Sequence, residues 1–134
     1  MNLEIRKTAH ECAVRSHQGT LAFPQVVMKL AEAGIERYYA DFQKGATTYY
    51  LPDGTSHRES LLVPDTAIAA DFSAAEVAAA VKAAQRGEIG YPAFVDRVMA
   101  AGCVGYTVFI AGRRVIYGGR RGDQQIELFP PAGN

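Results

Sequence analysis

Apolar residues recur at helical spacing and then at strand spacing, and the same order comes round twice along the chain. In the second half, Ser73-Ala74-Ala75-Glu76 has the form of a capping box, Ser at the N-cap and Glu three residues on. It opens an Ala-rich helix that runs to Arg86 and stops at Gly87. The small Ala face, with Val77 and Val81, lets a neighbouring helix approach closely. Pro92 begins a second helix where its missing N–H costs nothing. Phe94, Val95, Val98 and Met99 form the apolar stripe of that helix, and Gly102 ends it. Val104 to Ile110 is β-branched and aromatic, and Ala111-Gly112-Arg113 turns it into a strand over Arg114 to Tyr117. A last strand, Gln124 to Phe129, stops at Pro130-Pro131.

The first half follows the same plan. Helices are predicted over Leu3 to His17 and Pro24 to Ala33, then strands at Ile35 to Phe42, Thr47 to Leu51 and Arg58 to Val63. Pro52-Asp53-Gly54 supplies the turn chemistry between the last two strands. Shifting the chain by 68 positions lays Gly19 on Gly87, Pro24 on Pro92, Val27 on Val95 and Ala33-Gly34 on Ala101-Gly102. The same shift matches Tyr38 to Tyr106, Tyr49 to Tyr117 and Gly54 to Gly122, with Phe23 over Tyr91 and Leu21 over Ile89. Asp65 to Asp71 joins the halves and is too short and too apolar for a flexible linker. The expectation is an α+β fold built from a duplicated helix-helix-strands unit, with helices packed on an antiparallel sheet and pseudo-two-fold symmetry. Residues 1–134 then form a single domain of two tandem repeats, about 1–66 and 67–134.

Composition narrows the class. Fourteen Lys and Arg balance fourteen Asp and Glu, so the formal net charge is zero and the sequence pI is near 6.8. That removes the electrostatic argument for nucleic acid or an anionic membrane as partner. A 49% hydrophobic content excludes a disordered chain. The N-terminus lacks the apolar core of a signal peptide, and the richest apolar stretch, Ala67 to Ala84, is broken by Asp71, Ser73, Glu76 and Lys82. A cytoplasmic location is expected. Cys12 and Cys103 are the only cysteines; one disulfide could join them, but a reducing compartment favours two free thiols.

Candidate chemistry is sparse. His10 and His17 lie seven apart on one helix face with Cys12 off it, which is not the spacing of a helical metal pair, so solvated histidines and no metal centre are expected. His57 follows the Gly54 turn and, with Asp53 near, could serve as a general base; an ordinary polar turn residue explains it as well. Cys103 directly follows a helix C-terminus, whose partial negative charge disfavours a thiolate. Arg113-Arg114 and Arg120-Arg121 bracket one strand beside glycines, as in an anion cradle, but without a phosphate-loop or dinucleotide pattern. Arg121-Gly122-Asp123 spells an adhesion tripeptide that a turn explains without function. Tyr38, Tyr49, Tyr50, Tyr106 and Tyr117 are the most informative group: two tyrosine pairs on the strands could line a cleft at the junction of the halves. The ligand-binding candidates are accordingly Tyr38, Tyr49, His57, Tyr106, Arg113 and Tyr117, with no catalytic residue and no cofactor implied.

Three stretches of the first half carry a family resemblance: Phe23-Pro24-Gln25-Val26-Val27, Ala33-Gly34-Ile35-Glu36-Arg37-Tyr38 and Thr48-Tyr49-Tyr50-Leu51-Pro52-Asp53-Gly54. In the second half they are Arg86 to Pro92, Ala100 to Tyr106 and Gly112 to Tyr117. In these the chain resembles, over nearly its whole length, the YbcV-like family of small bacterial and prophage proteins, a domain of unknown function often labelled phage envelope protein. The resemblance carries over no catalytic residue or ligand. Two classes of function follow. The leading one is a non-catalytic module that binds a small molecule or a protein partner. The rival is a small enzyme acting on an anionic substrate in a cleft at the repeat junction, with His57 or Cys103 as its reactive group and Arg113 holding the anion. A prophage-encoded, virion-associated role rests on the family label. An exposed sheet edge or apolar helix face would support a homodimer.

Overall fold

A computed structural model describes residues 1–130; Pro131, which follows the expected last strand, lies outside them. The chain runs α1 (Leu3–Gln18), α2 (Phe23–Glu32), β1 (Arg37–Asp41), β2 (Ala46–Tyr50), β3 (Ser56–Ser60), α3 (Ala74–Gln85), α4 (Tyr91–Ala100), β4 (Cys103–Phe109), β5 (Arg114–Gly119) and β6 (Gln124–Leu128). Every expected element is present, with ends moved by up to three residues.

Local chemistry accounts for the helix ends. Asn2 caps α1 by accepting from the Ile5 N–H at 2.9 Å, and Ser73 caps α3 by accepting from the Glu76 N–H. Pro24 and Pro92 sit in the first turns of α2 and α4. The Gln25 side chain supplements the α2 start by accepting from the Ala22 N–H at 2.8 Å.

The strands form one six-stranded antiparallel sheet in the order β3-β2-β1-β4-β5-β6, so the fold is α+β. The two three-stranded meanders meet where β1 pairs with β4, Tyr38 opposite Val108 and Ala40 opposite Tyr106. Period-two alternation then decides the faces. Tyr38, Ala40, Tyr106, Val108 and Tyr117 are buried in one core with helix residues, whereas Arg37, Tyr39, Thr107 and Ile116 alternate with them on the other face and are half-buried. The helices supply Leu30, Val77, Val95 and Val98, all without solvent exposure. Burying each such side chain contributes about 1.5–3 kcal/mol.

At the β1–β4 seam a side chain at Gly105 would overlap the Ala40 carbonyl oxygen, so close pairing of the two meanders needs glycine there. The connection between the halves is tied down along its length. The Ser73 N–H donates to Ala101 O at 2.8 Å, and the Arg120 guanidinium donates to Ile68 O at 2.8 Å. Arg121 reaches Asp71 at 2.8 Å, an exposed pair that adds little stability. The arginines beside Gly118-Gly119 and Gly122 are thus engaged with the connecting segment rather than grouped into an anion cradle. Among the described residues no helix is long and apolar enough to cross a membrane.

Candidate functional site

Inward-facing side chains form two rows across the sheet. One reads His57, Tyr49, Tyr38, Val108, Val115, Glu127; the next reads Glu59, Thr47, Ala40, Tyr106, Tyr117, Gln125. The tyrosines therefore occupy the middle of the covered face, and a carboxylate stands on the edge strand at either end.

Two cavities open between this face and the helices. The first, about 430 Å³, lies against α1 and is lined by Cys12, Tyr38, Thr47, Tyr49 and Glu59, with His10 and His17 also on its wall. The second, about 520 Å³, lies against the starts of α2 and α4 and the end of α3 and is lined by Phe23, Val81, Phe94, Tyr117, Glu127 and Phe129. Ser16, Val26, Tyr38, Tyr91 and Tyr106 belong to both walls. Both volumes fall within the roughly 300–1,000 Å³ of small-molecule sites.

The aromatic wall is internally packed. Tyr38 and Tyr49 have ring centroids 5.3 Å apart, and Tyr106 and Tyr117 have theirs 5.4 Å apart. Such contacts add about 0.5–1.5 kcal/mol beyond burial. The Tyr91 and Tyr106 hydroxyls share a hydrogen bond of 2.7 Å. Burial pushes the Tyr38, Tyr49, Tyr106 and Tyr117 phenols well above their ordinary range. Tyr91 is pushed up to about 12, burial outweighing the hydrogen bond with Tyr106. All five rings stay neutral at physiological pH.

At the β3 end, Glu59 stands between two histidines, its Oε1 2.7 Å from His10 Nδ1 and its Oε2 2.5 Å from His57 Nε2. Burial raises the Glu59 carboxyl, but the hydrogen bonds to His10 and His57 outweigh it and hold the group below its ordinary value. Glu59 is thus ionised and joins α1 to the edge strand. Among the described residues no three His, Cys, Asp or Glu side chains converge as metal ligands. At the β6 end, Glu127 Oε2 accepts from Gln125 Nε2 at 2.6 Å.

Of the residues singled out from sequence, Tyr38, Tyr49, Tyr106 and Tyr117 are brought together. His57 reaches the first cavity only through Glu59, and Asp53 does not serve it: that carboxylate accepts from the Thr55 N–H and hydroxyl within its own turn. Arg113 lines neither cavity. It holds the β4–β5 turn at φ 52°, donates to Pro130 O at 3.1 Å and lies 5.4 Å over the Phe129 ring. Tyr50 is on the opposite sheet face, its ring 4.0 Å from the Arg37 guanidinium carbon. Cys103 is fully buried; its thiol donates to Gly105 O, and burial pushes it up to about 11. Both cysteines are free thiols.

Sequence reasoning missed Glu59, Glu127 and Tyr91. The 68-residue offset that pairs the tyrosines also carries Glu59 onto Glu127, and strand alternation turns both inward. A scan against known protein families and a search of curated proteins both return no match to this chain.

Proposed function

We propose that the protein is a non-catalytic module that binds a small molecule on the helix-covered face of its sheet. The observation that carries this reading is the shared wall: Tyr38, Tyr91 and Tyr106 border both cavities, so about 430 and 520 Å³ of adjoining space is floored by neutral aromatic side chains. The catalytic alternative draws less support, because Arg113 lies outside both cavities and Cys103 is sealed. The reading takes the chain as two tandem repeats that jointly form the site, supported by the 68-residue offset and by the order of the inward rows, and as a member of the YbcV-like family on its sequence resemblance.

Native mass spectrometry of gently purified protein tests it. A retained mass above the 14.5 kDa chain, lost in a folded Tyr106→Ala variant, is the expected result. A bare chain mass, with no mass shift on addition of aromatic probes, would count against a small-molecule site. A homodimer is a second reading, favoured by Ile126 and Leu128, which are 46% and 66% exposed on the edge strand β6. Light scattering gives the mass that decides it.

A further inference from the structure

The second cavity pairs a dense aromatic lining with negative charge and lacks a cation. Phe23, Tyr91, Phe94, Tyr106 and Tyr117 line it; among the described residues its ionisable side chains, apart from tyrosines, are Glu88 and Glu127, and no Lys, Arg or His is on its wall. Glu88 is largely exposed, with Arg86 at 3.9 Å. Glu127 is half-buried, and its neighbour is a neutral amide, Gln125 at 2.6 Å. Among the described residues no salt bridge reaches Glu127. The Arg113 guanidinium, at the same end of the sheet, donates to Pro130 O and lies over the Phe129 ring.

Aromatic faces are the negative pole of the ring quadrupole and attract a desolvated cation. An unpaired carboxylate at the end of such a wall adds Coulomb attraction in a partly water-excluded space. An anion meets the opposite: Glu127 repels it, and no cation compensates. We infer that the second cavity takes a lipophilic organic cation, its apolar rings against Phe94, Tyr106 and Tyr117 and its positive charge toward Glu127. This inference rests on the small-molecule reading above and names its ligand class.

Three probes of similar aromatic body and different charge separate the two claims: tetraphenylphosphonium, tetraphenylborate and neutral triphenylphosphine oxide, titrated by calorimetry. The expected result is phosphonium binding at least about tenfold tighter than either of the others. Glu127→Gln, which keeps the shape and the hydrogen-bonding capacity, then weakens the phosphonium about tenfold and leaves the oxide unchanged. Glu76→Gln, the same loss of charge on the α3 surface away from the cavity, leaves phosphonium binding as it was. Borate or oxide binding as tightly as phosphonium overturns the cation inference while the small-molecule reading stands. Binding of none of the three overturns both. Circular dichroism and a thermal midpoint confirm that each variant is folded.

Discussion

Glu59 and Glu127 stand 68 residues apart, each on an edge strand with its carboxylate turned toward the helices, yet their surroundings differ. Glu59 is clasped by His10 and His57, and the inward row beside it continues into Thr47. Among the described residues Glu127 has only the Gln125 amide, and the residue paired with it on β5 is Val115. Between them lie two tilted tyrosine pairs, Tyr38 with Tyr49 and Tyr106 with Tyr117, with ring centroids 5.3 and 5.4 Å apart. One end is therefore a structural clamp that joins α1 to the sheet, whereas the other carries a carboxylate with no salt-bridge partner among the described residues. A shared framework fixes where the carboxylates point, and their immediate neighbours decide what each can do.

The largest effect expected from breaking this arrangement is at the wall common to both ends. Tyr106→Ala removes a buried ring that packs on Phe42 and Tyr117 and should cost about 3–5 kcal/mol in urea unfolding. Tyr106→Phe keeps the ring, leaves the Tyr91 hydroxyl without its partner and should cost about 1 kcal/mol. Equal costs for the two variants would show that the ring packing contributes nothing.

The clamp comes next. Glu59→Gln should cost about 1–2 kcal/mol at neutral pH, because two charge-assisted hydrogen bonds weaken. Glu127→Gln should cost under about 0.5 kcal/mol. The pH dependence has a definite sign. The Glu59 carboxyl lies below its ordinary value of 4.5 when folded, so its stabilising contribution is full above that value and fades as pH falls through the folded one. The stability gap between wild type and Glu59→Gln should therefore hold from neutral pH down to 4.5 and close below it. Urea midpoints across that range check this; a gap that persists at acid pH would mean that Glu59 is not stabilised in its charged form.

The smallest effect concerns the thiols and costs no stability. Burial raises both thiols, that of Cys103 to about 11, but Cys12 lines the first cavity and Cys103 lines neither. Native-state labelling with dithionitrobenzoate should modify Cys12 at least about tenfold faster than Cys103. Equal rates would indicate that both react only after the chain opens.

The helices of the second half were legible because their punctuation is local: Ser73 caps, Pro92 starts, and Gly87 and Gly102 stop them with positive φ; Asn2, Gly19 and Gly34 play the same parts in the first half. The third strand is expected at Arg58 to Val63, but it forms at Ser56–Ser60. The turn decides: Asp53 folds back onto Thr55 and the Leu51 N–H meets Thr55 O, so pairing resumes at once with Tyr50 opposite Ser56. The tyrosine cluster was legible because strand alternation and a repeated spacing both pointed to it. Glu59 and Glu127 were not, since a carboxylate near a strand end reads as solvated until its partner is known. His10 lies 49 residues from Glu59, a pairing that only the folded chain creates.

The proposed binding region lies beneath the helices, not against the open sheet face. The most direct measurement is an NMR experiment on methyl-labelled protein with tetraphenylphosphonium, recording intermolecular contacts from its phenyl protons. Contacts to Leu21, Val26 and Val81, whose side chains line the second cavity, are the expected result. Contacts to Ile116 and Ile126 instead, whose positions alternate with the inward rows, would place binding on the other face of the sheet and contradict the account.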